Sequence, residues 1–212
     1  MQNKHKDFLT RYIRHIELRN FGDVGQNKLI EARVAIVGVG GLGNPASLYL
    51  SAAGIGHITL IDDDAISISN LQRQIIFSDD DKNRKKVDVA QSHLLKINPN
   101  VQIEIHATRL NKDNIHNILS SSSVILDCTD NFETRYLLNE YAVTNSKTLI
   151  SGSAGFYDGQ VMVVKTGFPC YQCLYPEMPS PMQVPSCVES AVLGPVVGVI
   201  GSLMATECLS YF

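Results

Sequence analysis

The stretch "VAIVGVGGLGNPASLYLSAAGIGHITLID", Val34–Asp62, decides the fold. An apolar run meets Gly38-Val39-Gly40-Gly41-Leu42-Gly43, a helical pattern follows, and a second apolar run ends in an acid. Strand, glycine turn, helix and strand make a phosphate-binding unit. Glycines let backbone approach a phosphate closely, and the helix N-terminus offers free N–H groups and the positive end of its dipole. Asp62 lies 24 residues after Gly38, near the position that holds a ribose hydroxyl in such units. The motif serves a dinucleotide or ATP equally well, so residues further along must choose between them.

Outward from that unit, strands and helices alternate. Residues 33–38, 57–62, 101–107, 123–128 and 148–152 read as strands, with helical patterns between most of them. The alternation predicts an α/β, Rossmann-like fold: a mainly parallel sheet with helices on both faces. Residues 1–31 read as a helical segment, with Phe8, Leu9, Tyr12, Ile13 and Ile16 on one stripe, and residues 32–152 as the nucleotide-binding core. Residues 153–212 read as antiparallel strands, a Cys-rich crossover loop and an apolar terminal helix. In that helix Gly198 and Gly201 predict close packing. The whole, 1–212, is expected to be one domain.

Bulk numbers exclude several classes. With 44% hydrophobic residues and 18% charged, the chain can build a sizeable core. A net charge of −3 leaves no footprint for nonspecific nucleic-acid binding. No apolar run is long enough for a membrane span, and the first residues lack a secretory h-region. Five cysteines do not read as a disulfide scaffold, so the expected setting is a reduced cytoplasm.

Ligands of open α/β sheets bind outside the carboxyl ends of the strands, so polar groups there carry most weight. After the second strand come Asn70, Arg73 and Gln74; after the fourth come Asp127, Asp130, Asn131 and Arg135; "NRKK" adds Arg84, Lys85 and Lys86. A pyrophosphate bridge needs little beyond the glycine turn. A triphosphate with magnesium needs several cations and at least one carboxylate. Arg73, Lys86 and Asp130 supply that set and favour ATP with Mg2+. Capping of the helix near Asn131 is the competing role for Asp130. None of the six histidines sits in a recognisable catalytic setting. Cys128 and Cys208 lie in apolar stretches and read as buried small hydrophobes.

The stretches "RYIRH", "GVGGLG", "DDDAISISNLQRQ", "DCTDN", "CYQCLYP" and "GPVVGVIGSLMATE" together resemble the ThiF/MoeB/HesA family, the bacterial relatives of ubiquitin-activating enzymes. They cover nearly the whole chain. The resemblance implies ATP-dependent adenylation of the C-terminal Gly-Gly carboxylate of a ubiquitin-like sulfur carrier. "NRKK", "GFYDGQVMVV" and the cysteine of "PSCVES" are similar to the thiamin branch; a molybdopterin-type carrier, or a silent carrier-binding module, is the alternative. The resemblance further implies that Gly38, Gly40, Gly41 and Gly43 cradle the nucleotide and Asp62 binds the ribose. It gives Asn70, Arg73, Gln74 and Lys86 to the phosphates, with Asn131 beside Asp130, and Asp130 to magnesium. Arg14 would reach into the partner's site of a homodimer; Cys187 would accept or relay sulfur through a covalent link to the activated carrier, with a donor protein as a further partner, and a loop cysteine without a role is the alternative. Two departures stand out: His15 where glutamine is usual, and Lys85 where a proline precedes Lys86, expected to loosen that turn. Cys170 and Cys173 match half of the family's zinc site. The second Cys pair follows the helix that here ends at Phe212, so no fully protein-coordinated zinc is expected.

Overall fold

The computed structural model describes residues 10–179 and 191–212. Its centre is a six-stranded sheet of order β3-β2-β1-β4-β5-β6. The strands are β1 (Arg33–Val37), β2 (His57–Ile61), β3 (Gln102–His106), β4 (Val124–Asp127), β5 (Thr148–Ala154) and β6 (Gly159–Val164). All neighbours pair parallel except β5 and β6, which form an antiparallel hairpin. The antiparallel extension is thus the single strand β6, paired from Leu149↔Val164 to Ala154↔Gly159.

Strands buried on both faces should read as near-continuous apolar runs. "RVAIV", "HITLI" and "VILD" do so, and their side chains divide between two cores. Val34, Ile36, Ile58, Leu60, Val124, Leu126 and Ile150 face one core. Ala35, Val37, Ile61, Ile125 and Leu149 face the other. Burying each such aliphatic side chain contributes about 1.5–3 kcal/mol. The first core is covered by α2 (Gly22–Glu31), α3 (Gly43–Ala53), α4 (Lys86–Ile97) and α8 (Gly194–Tyr211), and the second by α5 (Ile115–Leu119) and α6 (Phe132–Thr144). A short α7 (Tyr171–Leu174) docks beside α6 through Tyr171 N–H, which donates to Asn139 Oδ1 at 2.9 Å.

Three sequence expectations need correction. The described part of the expected helical segment 1–31 is broken in two: residues 10–16 are helical (α1), and the chain then turns, with Asn20 at φ 68° and Gly22 at φ 59°, into α2. Tyr12 is 2% exposed but Ile13 is 42% exposed, so the apolar stripe is not a continuous core face; Phe8 and Leu9 lie outside the described residues. In α8, a Cβ on Gly201 would come within 2.4 Å of Leu42 O, whereas one on Gly198 would meet nothing within 4 Å. Only Gly201 marks close packing, because only its face of the helix lies on α3. Among the described residues, no helix is long and apolar enough to cross a membrane.

The chain runs outward from β1 to β3 on one side, then returns to place β4 on the other side of β1. The loops after β1 and β4 therefore part at a topological switch point, where open α/β sheets bind ligands.

Candidate nucleotide site

The glycine turn builds one wall of this crevice. Gly38 adopts φ +91°, and a Cβ there would lie 2.7 Å from Cys128 O, so only glycine brings the β1 and β4 loops this close. A Cβ on Gly43 would come within 2.0 Å of Gly38 O, which explains why α3 can start directly against the turn. Gly41 packs against Val197 of α8. At Gly40 a Cβ would meet only Gln74 Nε2, at 3.6 Å. Nothing within the chain demands glycine there, and its bare backbone is the open face a phosphate would use. No side chain caps the N-terminus of α3, which leaves its end suited to an anion. Asn44, which sequence reasoning missed, fixes the turn: its Nδ2 donates to Val39 O at 2.9 Å and its Oδ1 accepts from Ile76 N at 3.0 Å. Gln74, 3% exposed, lies against the turn, and its Oε1 is buried without a hydrogen-bond partner.

The next wall joins residues 62–66 to 83–86. Asp62 Oδ2 accepts from Val39 N at 2.7 Å and Oδ1 from Asp64 N at 2.9 Å, so the acid is tied to the glycine turn. Burial pushes its carboxyl up from the ordinary value, while Lys86 and the two backbone N–H groups pull against that shift. Its oxygens keep lone pairs to accept further hydroxyls. Lys86 is 4% exposed and its Nζ donates to Asp64 Oδ2 at 2.7 Å, an arrangement far from a solvated surface lysine. Lys85 does not loosen the turn. Its φ of −65° is one proline also adopts, Ala65 and Lys85 form an antiparallel bridge, and Lys85 Nζ donates to Asp63 O at 2.6 Å. Asn70 Oδ1 accepts from Ser67 N at 3.2 Å, closing a one-turn capping box. Arg73, half-buried, bonds Ser69 O at 3.0 Å.

The third wall is the loop after β4. Asp127 is fully buried and engaged on every side: Oδ1 accepts from Thr129 N and Oγ1 at 3.1 and 2.6 Å, and Oδ2 accepts from Arg135 Nε at 3.0 Å and Ser151 Oγ at 2.7 Å. Arg135 Nη2 also donates to Thr129 O (3.0 Å) and Gly152 O (2.7 Å), and its guanidinium lies over the Tyr171 ring. Burial, the largest single influence, lowers the Arg135 pKa, but Asp127 and Tyr171 together outweigh it and raise the value. The pair locks the turn that presents Asp130, an exposed carboxylate one residue past Thr129, whose backbone lies against Gly38. Helix capping falls to Asn131, whose Oδ1 accepts from Thr134 N at 2.9 Å, so Asp130 is not the cap. An exposed oxygen donor there fits magnesium, which takes one or two carboxylates together with phosphate oxygens.

Not every expected residue joins the crevice. Arg14 is exposed and pairs with Glu17, just past the end of its own helix, at 3.1 Å. His15 Nδ1 lies 3.1 Å from Gln26 Oε1, a packing role. Cys170 and Cys173 hold their sulfurs 3.4 Å apart, with Asn139 Nδ2 donating to Cys170 Sγ at 3.6 Å. Among the described residues no third His, Cys, Asp or Glu joins them, so they supply two zinc ligands rather than four. Cys128 and Cys208 are buried, and burial pushes the Cys208 thiol up to about 12. Cys187 lies outside the described residues. An open hollow of about 620 Å3, lined by Lys28, Arg33, Ser121, Tyr211 and Phe212 among others, sits at the amino ends of β1 and β4, the opposite end of the strands from this chemistry.

A glycine turn, an acid tied to it, a buried lysine and a loop carboxylate gather around one switch point of a Rossmann-like α/β protein. The chain belongs to the ThiF family, whose model matches residues 12–212. It is 41% identical over 201 residues to the SAMP-activating enzyme E1 of Haloferax volcanii, covering 95% of this chain and 74% of that protein. It is 46% identical over 205 residues to the adenylyltransferase and sulfurtransferase MOCS3 of Drosophila willistoni, covering 96% of this chain but 45% of that protein. It thus spans less than half the length of that relative. Among solved structures, E. coli MccB with ATP superposes with a TM-score of 0.79 at 27% identity, covering 95% of this chain and 63% of MccB.

Proposed function

We propose that this chain uses ATP to adenylate the C-terminal Gly-Gly carboxylate of a ubiquitin-like sulfur carrier, in the cytoplasm, with residues 1–212 acting as one adenylation unit. The observation that carries this reading is the meeting of the Gly38–Gly43 turn, Asp62, Lys86 and the Asp130 loop at the switch point of a ThiF-family chain. The carrier's tail is ionised at neutral pH and needs no general base. Its oxygen bonds to the α-phosphorus while the bond from that phosphorus to the departing pyrophosphate breaks. The chain's part is alignment and charge neutralisation. The glycine turn and the α3 N-terminus hold phosphate oxygens, Asp62 holds the ribose, and Asn70, Arg73, Gln74 and Lys86 oppose the charge that builds on pyrophosphate. Magnesium, held by Asp130 beside Asn131, would supply further neutralisation of that charge.

A thiamin-branch carrier is the proposed substrate. The names of the relatives place SAMP-type carriers and the substrates of MOCS3 beside it for testing. Incubating the chain with ATP and each carrier in turn should yield an adenylate on one carrier's C-terminus, read by intact mass. Acceptance of none would reject the reading.

Three further parts of the proposal concern assembly, sulfur transfer and metal. The exposure of Arg14, and of Tyr49, Val199 and Leu203 on α3 and α8, supports a homodimer in which Arg14 completes the partner's site. Mixing Arg14→Ala chains with Asp130→Ala chains is then expected to restore part of the activity that each lacks alone, since one hybrid site is complete. No recovery after confirmed subunit exchange would place Arg14 outside the site. Cys187 is proposed to accept or relay sulfur through a covalent link to the activated carrier, its sulfur bonding to the adenylated carbonyl as AMP leaves, with a donor protein as the sulfur source. Cys170 and Cys173, supplying two ligands, are expected to hold no tightly bound zinc. Metal analysis after dialysis should find far less than one equivalent per chain, and a full equivalent would contradict that.

A further inference from the structure

Lys86 is a cation that the fold has placed inside: its side chain is 6% exposed, against 65% for its partner Asp64. Folded proteins keep a buried ammonium charged by giving it a counter-ion, because an unpaired one carries a heavy desolvation cost. Asp64 supplies that counter-ion at 2.7 Å, and among the described residues Lys86 forms no other ion pair.

Asp64 is itself held in place. Its N–H donates to Asp62 Oδ1 at 2.9 Å, and its carbonyl accepts from Lys86 N at 3.2 Å. The neighbouring backbone is clipped by Ile66 N to Arg84 O and Asn83 N to Ile66 O, both 2.9 Å. One residue therefore links the acid assigned to the ribose with the lysine assigned to the phosphates.

We infer that Asp64 is a positioning residue that fixes the Lys86 ammonium, in register with Asp62, where it meets the phosphates of bound ATP. This rests on the ATP-dependent reading above and deepens it. A lysine on a four-carbon stem is a flexible point charge, so what Asp64 provides is alignment. Loss of alignment is felt when charge develops on the leaving group, more than in ground-state binding. Removing a carboxylate close to a triphosphate also relieves repulsion, which offsets weaker attraction in KM.

Asp64→Asn keeps shape and removes charge. It is expected to lower carrier-dependent ATP–pyrophosphate exchange at saturating ATP by about tenfold or more, with KM for ATP changed less than about threefold. Asp64→Glu, whose longer arm has room at this exposed position, should recover most of the rate. An independent reading uses isotope-labelled lysine in the free protein. The Lys86 ammonium should give a protected NMR signal, identified by its disappearance in Lys86→Arg, lost in Asp64→Asn and regained in Asp64→Glu. A wild-type rate in Asp64→Asn, or a lost rate with the protected Lys86 signal intact, would overturn the inference. Absence of exchange in the unmodified protein would instead count against the adenylation reading, while the NMR comparison still decides whether Asp64 holds Lys86.

Discussion

Arg135→Met should destabilise the protein by about 3–5 kcal/mol, because it leaves the Asp127 carboxylate buried without its cation. Asp127 is 0% exposed and the Arg135 side chain 9%, so water cannot replace what is lost. The substitution also strips donors from Thr129 O and Gly152 O. For a chain of this size the melting temperature should fall by on the order of 10 °C. Pairing it with Asp127→Leu removes the orphaned charge and should recover much of the loss, since replacing both partners of a buried ion pair is often near neutral. Thermal unfolding of the two variants checks this. A single variant within about 1 kcal/mol of the parent would show that the pair is not what locks the 127–131 turn.

Asp130→Ala should behave in the opposite way. The side chain is exposed on a turn held by its neighbours, so stability should stay within about 0.5 kcal/mol of the parent. Catalysis should fall by about a hundredfold or more, since the lost metal carboxylate acts on charge that builds as pyrophosphate leaves. Added magnesium should recover part of the rate. Near-normal exchange in the folded variant would remove Asp130 from the metal role. The two substitutions lie five residues apart on one loop and helix, yet one tests the scaffold and the other the chemistry.

That contrast marks where sequence is informative. The strands were legible to within one or two residues, because parallel strands buried on both faces read as near-continuous apolar runs, as "VAIV" and the "VIL" of β4 do. The glycine turn and Asp62 were legible because their spacing is fixed by the βαβ unit that holds them. Pairings between distant segments left weaker traces. Arg135 reads in sequence as one more polar residue after a strand; only the fold shows its guanidinium clamped between β4 and β5. Asn44 reads as an ordinary early-helix polar residue, yet it stitches the turn to residue 76, 32 positions away. Lys86 and Asp64, 22 residues apart, find each other through a backbone clip that no short pattern announces. The break in the N-terminal helix was missed because it depends on Asn20 and Gly22 taking positive φ, which the apolar stripe does not encode.

In the proposed reaction the switch-point crevice activates a carrier's carboxylate with ATP. ATP–pyrophosphate exchange tests it most directly, because label enters ATP only if the adenylate forms reversibly on the enzyme. Exchange should require both magnesium and a carrier ending in Gly-Gly, be lost when the carrier's last glycine is deleted, and fall sharply in Asp130→Ala. Exchange independent of any carrier, or none with any Gly-Gly carrier while ATP still binds, would contradict it.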